Sequence, residues 1–444
     1  MFIKNVFFSV STNVFSVGLS FVVSVILARM LTPTDRGIMV LVMTIPWTVA
    51  SIASLGLQQS SVYLIGRKKL DASRVWGNTL VMSFILGVVV VLLLNIYRTD
   101  ILDSVLDGMP DKYWLPLMIL SVIILLDGTT LSVLQALQRF DLVNFQKFVS
   151  SVLMLVGYGG VLILARAGLS GAIWTYIIVI TLMMILSGLL AAHLTPFRLT
   201  FDFKLTRESF RFGLKAYTQA LMSVISYRID VLLLAVLLTP EQVAYYGVAT
   251  SVAETAWHIP NTIGTVLFSR LSHVDDNEVY DITAKVCRNT FGITAIIIVG
   301  LFICCWVLVP LVYGSAYTAA IAPLVALLPG VLFMSIFKVL VRNFSSRDRQ
   351  AISILGSSVS MILNVGLNLL LIPVWGIVGS AVASSTSYII ASVILLFFFL
   401  RDSQLPWQDI LVPRRSELVG HLHWAKERII NRWQKAPFYS GRTG

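Results

Sequence analysis

Residues 75–96 read VWGNTLVMSFILGVVVVLLLNI, a run with no Asp, Glu, Lys or Arg. A helix of this length rises about 33 Å at 1.5 Å per residue, enough to cross the roughly 30 Å hydrocarbon layer of a bilayer. Comparable apolar runs lie near 6–30, 38–65, 113–137, 143–165 and 170–193. After a polar connector at 194–210 they resume near 211–238, 243–268, 286–312, 317–341, 350–373 and 377–400.

Composition agrees with this reading. Of the 444 residues, 57% are hydrophobic and 12% charged, against roughly 45–50% and 25% in soluble domains. The runs are too long and too continuously apolar for barrel strands, and unsatisfied backbone in lipid leaves only helices as the alternative. The expected fold is an all-α polytopic membrane protein of about twelve transmembrane helices.

The net charge of +11 takes its meaning from placement. With the N-terminus cytoplasmic, most Lys and Arg fall in the N-terminus, alternate loops and the tail. Arg29, Arg36, Arg98, Lys112 and Arg166 lie outside or at the outer edge, and Lys215, Arg228 and Lys338 fall inside spans. This bias predicts both termini on the cytoplasmic side of a bacterial inner membrane and argues against nucleic acid as a partner.

The two halves look related. Leu31-Thr32-Pro33 recurs as Leu238-Thr239-Pro240, Pro116 falls opposite Pro323, Arg139 opposite Arg347, Gly168 opposite Gly376 and Gly171 opposite Gly379. Six spans per half make the repeats parallel, so a substrate path is expected in a central cavity between two six-helix bundles, 1–193 and 211–400. Residues 194–210 form the linker between them and 401–444 a cytoplasmic tail.

Three segments resemble the polysaccharide (oligosaccharide-lipid) flippases, which share a superfamily with multidrug extruders and lipid II flippases. They are Ser24 to Arg29 followed by Leu31, Pro33 and Gly37; Arg228 to Leu234 leading to Ala244-Tyr245-Tyr246; and Asn364 to Asn368 leading through Pro373, Gly376 and Gly379. The resemblance covers about residues 5–400. It implies a transporter that moves an undecaprenyl-pyrophosphate-linked oligosaccharide to the outer leaflet by alternating access, for surface polysaccharide export. It also implies a diphosphate-binding role for Arg29. Where the lipid II group tends to carry a second arginine, this chain has Val23.

Charged groups inside a bilayer are costly, so each is a functional candidate. Arg228 and Asp230 stand two apart, on different faces of their helix, and each needs another partner. Lys215 and Gln219 share a face. Gln58, Gln59, Asp127, Gln135, Asn364 and Asn368 offer amides and carboxylates that match sugar hydroxyls, although Asn364 and Asn368 at i and i+4 equally suit a helix–helix hydrogen bond. Glu254, His258 and Asn261 are expected to stack along one stripe of a helix kinked at Pro260, where Glu254 and His258 could couple transport to H+ or Na+. Asn261 would line the cavity. Lys338 and Arg342 lie near a cytoplasmic helix end, where snorkelling to the headgroups is expected.

Cys287, Cys304 and Cys305 share one span and read as buried thiols without metal-site spacing. In the tail, Leu418, Leu422, Ala425, Ile429 and Trp433 recur at helical spacing among Arg414, Arg415, Lys426, Arg428, Arg432 and Lys435. This predicts a basic amphipathic helix on anionic inner-leaflet lipid, or a dock for an enzyme of the same pathway.

Two other readings compete. A cation-coupled multidrug extruder would share the architecture, but many such proteins carry a carboxylate in the first span and none occurs between Phe7 and Met30. A membrane polysaccharide polymerase or ligase needs a long outer loop bearing acid–base groups, and the longest one, 97–112, has no His or Glu. No cofactor is expected.

Overall fold

The computed structural model describes residues 2–104, 109–271, 276–347 and 349–412, with some side chains inside these ranges left out. The described chain is helical throughout: α1 (Phe2–Met30), α2 (Pro33–Ala53), α3 (Leu57–Gly66), α4 (Ala72–Ile96), α5 (Arg98–Ser104), α6 (Trp114–Ala136), α7 (Phe140–Tyr158), α8 (Gly168–Leu194), α9 (Phe203–Leu237), α10 (Pro240–Glu254), α11 (His258–Leu271), α12 (Asp276–Tyr313), α13 (Ile321–Ser346), α14 (Gln350–Ser403) and α15 (Gln408–Leu411). Eight helices among the described residues are long and apolar enough to cross a membrane.

The outside of these helices is apolar and part of the interior is polar. Leu92, Ile96, Leu164, Leu189, Val307 and Val374 are exposed, while Ser60, Ser83, Thr129, Asn364 and Asn368 are fully buried. Water would penalise that inversion, whereas lipid favours it. The protein is a multi-pass membrane protein, as its hydropathy predicts.

Several expected spans are interrupted. The run at 38–65 is not one helix: α2 ends at Ala53, Leu55 and Gly56 take positive φ, and α3 starts at Leu57. Gly56 is suited to that left-handed turn because it has no Cβ to clash. The run at 143–165 ends in a π-helical turn at Gly159–Leu164. In α14, Gly376 at φ 56° and ψ −135° separates two helices at the junction expected between 373 and 377. Pro373, which removes a backbone donor, sits one turn earlier.

Repeated sequence positions share local geometry. Pro33 and Pro240 both open a helix, and Gly168 and Gly376 both adopt positive φ. The two hairpins also touch: a Cβ on Gly37 would stand 1.7 Å from the carbonyl oxygen of Pro240.

The chain divides into two compact units. The first holds the chain up to Ala253, Ile303–Leu328 and Ser357–Ser387; the second holds Glu254–Phe302, Pro329–Gly356 and the described chain from Tyr388 on. In the first unit, α1 packs on α7, and α6 packs on α2, α3, α4 and α8. Its polar connector is pinned by ion pairs from Lys68 to Glu208 and from Arg74 to Asp202. Asp202 also caps α9 by accepting from the amides of Lys204 and Leu205, and its carboxyl is held below the usual range by those amides and by Arg74.

One sequence expectation is corrected, the burial of Cys304. Arg36, placed at the outer edge by its sequence position, is buried and only 5% exposed. It lies in the first turn of α2, on the face carrying Met39 and other buried side chains, which a residue-by-residue hydropathy reading cannot see. Cys304 is exposed, while Cys287 and Cys305 are buried, because adjacent residues on a helix point about 100° apart. The predicted tail helix at 418–435 lies outside the described residues.

Candidate functional site

In the first unit a cavity of about 380 Å³ opens where α2 breaks into α3. That volume falls within the range of small-molecule sites, roughly 300–1,000 Å³. The break lets the chain present Trp47, Ser51 and Ser54 from one side and Gln58 and Gln59 from the other. α6 adds Asp127 and Gly128, α8 adds Tyr176 and α9 adds Tyr217. Gly128 matters because a Cβ there would stand 2.3 Å from the Gln58 side-chain nitrogen, so glycine lets that amide lie against α6.

Asp127 is held in one orientation. Its Oδ1 accepts 2.7 Å from the Ser187 hydroxyl and 3.2 Å from the Gln146 amide. Gln146 also donates to the Met183 carbonyl. Tyr217 donates to the Ile52 carbonyl at 2.7 Å, fixing a phenol at the wall beside the helix break. The lining thus combines amides, hydroxyls, aromatic faces and one carboxylate with the aliphatic side chains of Ile124, Leu131 and Ile180, and has no Lys, Arg or His among the described lining residues.

A second polar cluster in the same unit joins α9, α10 and α14. Asp230 is buried, and its Oδ2 accepts from the Tyr246 hydroxyl at 2.6 Å and, at 3.5 Å, from Ser384. Asn364 donates to Ser384 at 3.1 Å, and Asn368 donates to both the backbone and side-chain oxygens of Asn364. The buried Asn368 Oδ1 takes no hydrogen bond among the described residues. A carboxylate, amide oxygens and a hydroxyl form a hard oxygen set of the kind an alkali cation accepts. Asn364 and Asn368 therefore hydrogen-bond between and along helices and do not line the α2–α3 cavity. The partner Asp230 needed is Tyr246; Arg228 is half-buried and makes no ion pair with Asp230 among the described residues.

The remaining candidates are scattered. Arg29 is exposed and donates through Nε to the Val312 carbonyl at 2.9 Å and through Nη2 to that of Leu311. It therefore caps the end of α12, where free carbonyls and the helix dipole favour a cation. Gln135 is exposed. The side chains of Lys215 and Gln219 lie outside the described residues.

In the second unit the helix carrying Glu254, His258 and Asn261 changes geometry near Pro260, where a kink was expected. α10 ends at Glu254, a 3-10 turn covers Thr255–Trp257, and α11 begins at His258. Pro260 explains this, since its ring would clash with the carbonyl four residues earlier, at Ala256, if the α-helix continued. Lys338 is drawn inward: its ammonium stands 4.7 Å from the Trp257 ring centre and within electrostatic reach of Glu254 and Arg342.

Sequence reasoning missed Arg36. Its Nη2 reaches Ser24 at 3.3 Å, but Nε and Nη1 are buried without a hydrogen-bond partner among the described residues, near Tyr158, Tyr313 and Tyr317. Its position beside the first hairpin carried no local signal of burial. Tyr176 and Tyr217 were also missed, because they read as ordinary span residues.

Known proteins share this arrangement of helices. A lipid II flippase MurJ in an inward closed conformation superposes with a TM-score of 0.77 at 16% identity, over 91% of this chain and 89% of that one. An inward-facing multidrug resistance MATE family transporter gives 0.68 at 14% identity, over 87% and 94%. The bent form of the Vibrio cholerae MATE transporter VcmN gives 0.59 at 16%, over 90% and 97%. At these identities the likeness speaks for the fold. By sequence, the chain is 21% identical over 386 residues to the "Probable low-salt glycan biosynthesis flippase Agl15" of Haloferax volcanii, covering 86% of this chain and 80% of the relative. The family described as polysaccharide biosynthesis protein matches residues 26–323, a stretch containing the α2–α3 break, Asp127 and Asp230. With the flippase-like segments, the helix order and this match in agreement, the chain is assigned to its family: it belongs to the polysaccharide biosynthesis proteins.

Proposed function

We propose that this chain is a flippase that carries an undecaprenyl-pyrophosphate-linked oligosaccharide from the cytoplasmic to the outer leaflet of a bacterial inner membrane. The observation that carries this reading is a cavity that brings Gln58, Gln59 and Asp127 together with the aromatic side chains Trp47, Tyr176 and Tyr217 inside an apolar helical shell. Amides and carboxylates exchange hydrogen bonds with sugar hydroxyls, and aromatic faces cover the apolar side of a sugar ring. The flippase relative in Haloferax volcanii supports the same assignment.

Transport proceeds in this proposal by alternating access of two six-helix halves, with both termini cytoplasmic. The protein acts as a transporter and not as an enzyme. Coupling to Na+ or H+ would fall to the oxygen set around Asp230 or to Glu254 with His258. Arg29 and Arg228 remain candidates for the diphosphate, and Lys215, Gln219 and Asn261 for the cavity wall. The tail at 401–444 is proposed to meet anionic lipid or a pathway enzyme.

Deleting the gene should trap lipid-linked oligosaccharide in the inner leaflet and abolish surface polysaccharide. Unchanged polysaccharide together with altered drug resistance would overturn this reading in favour of a cation-coupled extruder, whose fold the MATE transporters display.

A further inference from the structure

The charge of the cavity wall says which sugars it can take. Asp127 spends one oxygen on Ser187 and Gln146, and its Oδ2 takes no hydrogen bond among the described residues. That oxygen keeps its accepting capacity, and the described lining supplies no cation to neutralise it. The Ser187 and Gln146 contacts keep the carboxylate from turning away. In its ionised form, a carboxylate fixed in this way in a partly desolvated cavity repels a second anion and attracts hydroxyl or ammonium donors. The Gln58 and Gln59 amides and the Trp47 ring are neutral and add no counter-charge.

We infer that the α2–α3 cavity selects uncharged or amino-bearing sugar residues and excludes acidic ones such as uronic acids. This rests on the flippase reading and adds the chemical class of the glycan.

The test uses full-length protein in nanodiscs and equilibrium dialysis with three trisaccharides: neutral chitotriose, its de-N-acetylated cationic form, and trigalacturonate. Trigalacturonate should bind at least about tenfold more weakly than chitotriose, a difference of about 1.4 kcal/mol. The cationic trimer should bind at least as well as chitotriose. Asp127→Asn should erase the ranking, and if that variant fails to fold, the wild-type ranking alone decides. Trigalacturonate binding as well as chitotriose, or no binding of any of the three, overturns the inference. Binding of tetraphenylphosphonium in clear preference to all three sugars does so too, because it marks a site for lipophilic cations. Flipping of lipid-linked oligosaccharide in proteoliposomes, measured in parallel, reports on the flippase reading separately: intact flipping without the ranking sinks only the cavity assignment.

Discussion

Gly56 and Gly213 meet backbone to backbone. A Cβ on Gly56 would stand 2.3 Å from the Gly213 carbonyl oxygen, and one on Gly213 would stand 2.7 Å from that of Gly56. This contact holds the α2–α3 break against α9 and so shapes the cavity. Gly213→Ala should therefore lower stability by about 1–3 kcal/mol through overpacking against rigid backbone. Gly56→Ala should cost about 1–2 kcal/mol more, because Gly56 also sits at φ 81°. Thermal unfolding of the purified protein measures both, and midpoints equal to wild type would show that the two backbones separate freely.

The Tyr246 hydroxyl and Asp230 should be energetically coupled. A double-mutant cycle of Tyr246→Phe and Asp230→Asn is expected to give an interaction energy of about 0.6–1.7 kcal/mol, the range of interhelical hydrogen bonds in membranes. A value indistinguishable from zero would mean that the 2.6 Å bond contributes nothing to stability.

Arg36 carries a buried charge with two unsatisfied nitrogens. Arg36→Met keeps most of the volume and removes the desolvation penalty, so the unfolding midpoint should stay level or rise. A fall of several degrees would show that Ser24 and the three surrounding phenols compensate the charge.

Asp202 links stability to acid pH. Its folded carboxyl is depressed by the amides it caps and by Arg74, so its contribution is complete above the unfolded value of about 3.9 and is lost as pH falls through the lower folded value. Stability measured from pH 5 downward should decline more steeply in wild type than in Asp202→Asn. Parallel curves would remove Asp202 from the acid response.

How far the sequence reached differs from element to element. The run at 75–96 became α4 with little change, and the junction at Pro373 and Gly376 was placed correctly, because proline and glycine impose local backbone limits. The break at 54–56 was not legible: Ser54-Leu55-Gly56-Leu57 is as apolar as its surroundings, and the reason for the break lies partly in Gly213, far along the chain. The irregularity before Pro260 was legible locally, since the proline removes a helix donor and kinks the chain there. Gln58, Gln59 and Asp127 were singled out individually, but nothing local showed that they share one cavity with Trp47, Tyr176 and Tyr217.

The sequence by itself determined a helical chain in lipid and a family resemblance, because hydropathy and turn chemistry are summed along the chain and need no partner. The tertiary structure alone decided that Asn364 and Asn368 are buried in hydrogen bonds, that Arg29 caps α12, that Arg36 is enclosed, and that Asp127 lines the cavity. In a bilayer every polar side chain is expensive, so composition marks all of them equally. Only the position of the neighbouring helices separates a group already satisfied from one left to meet a ligand.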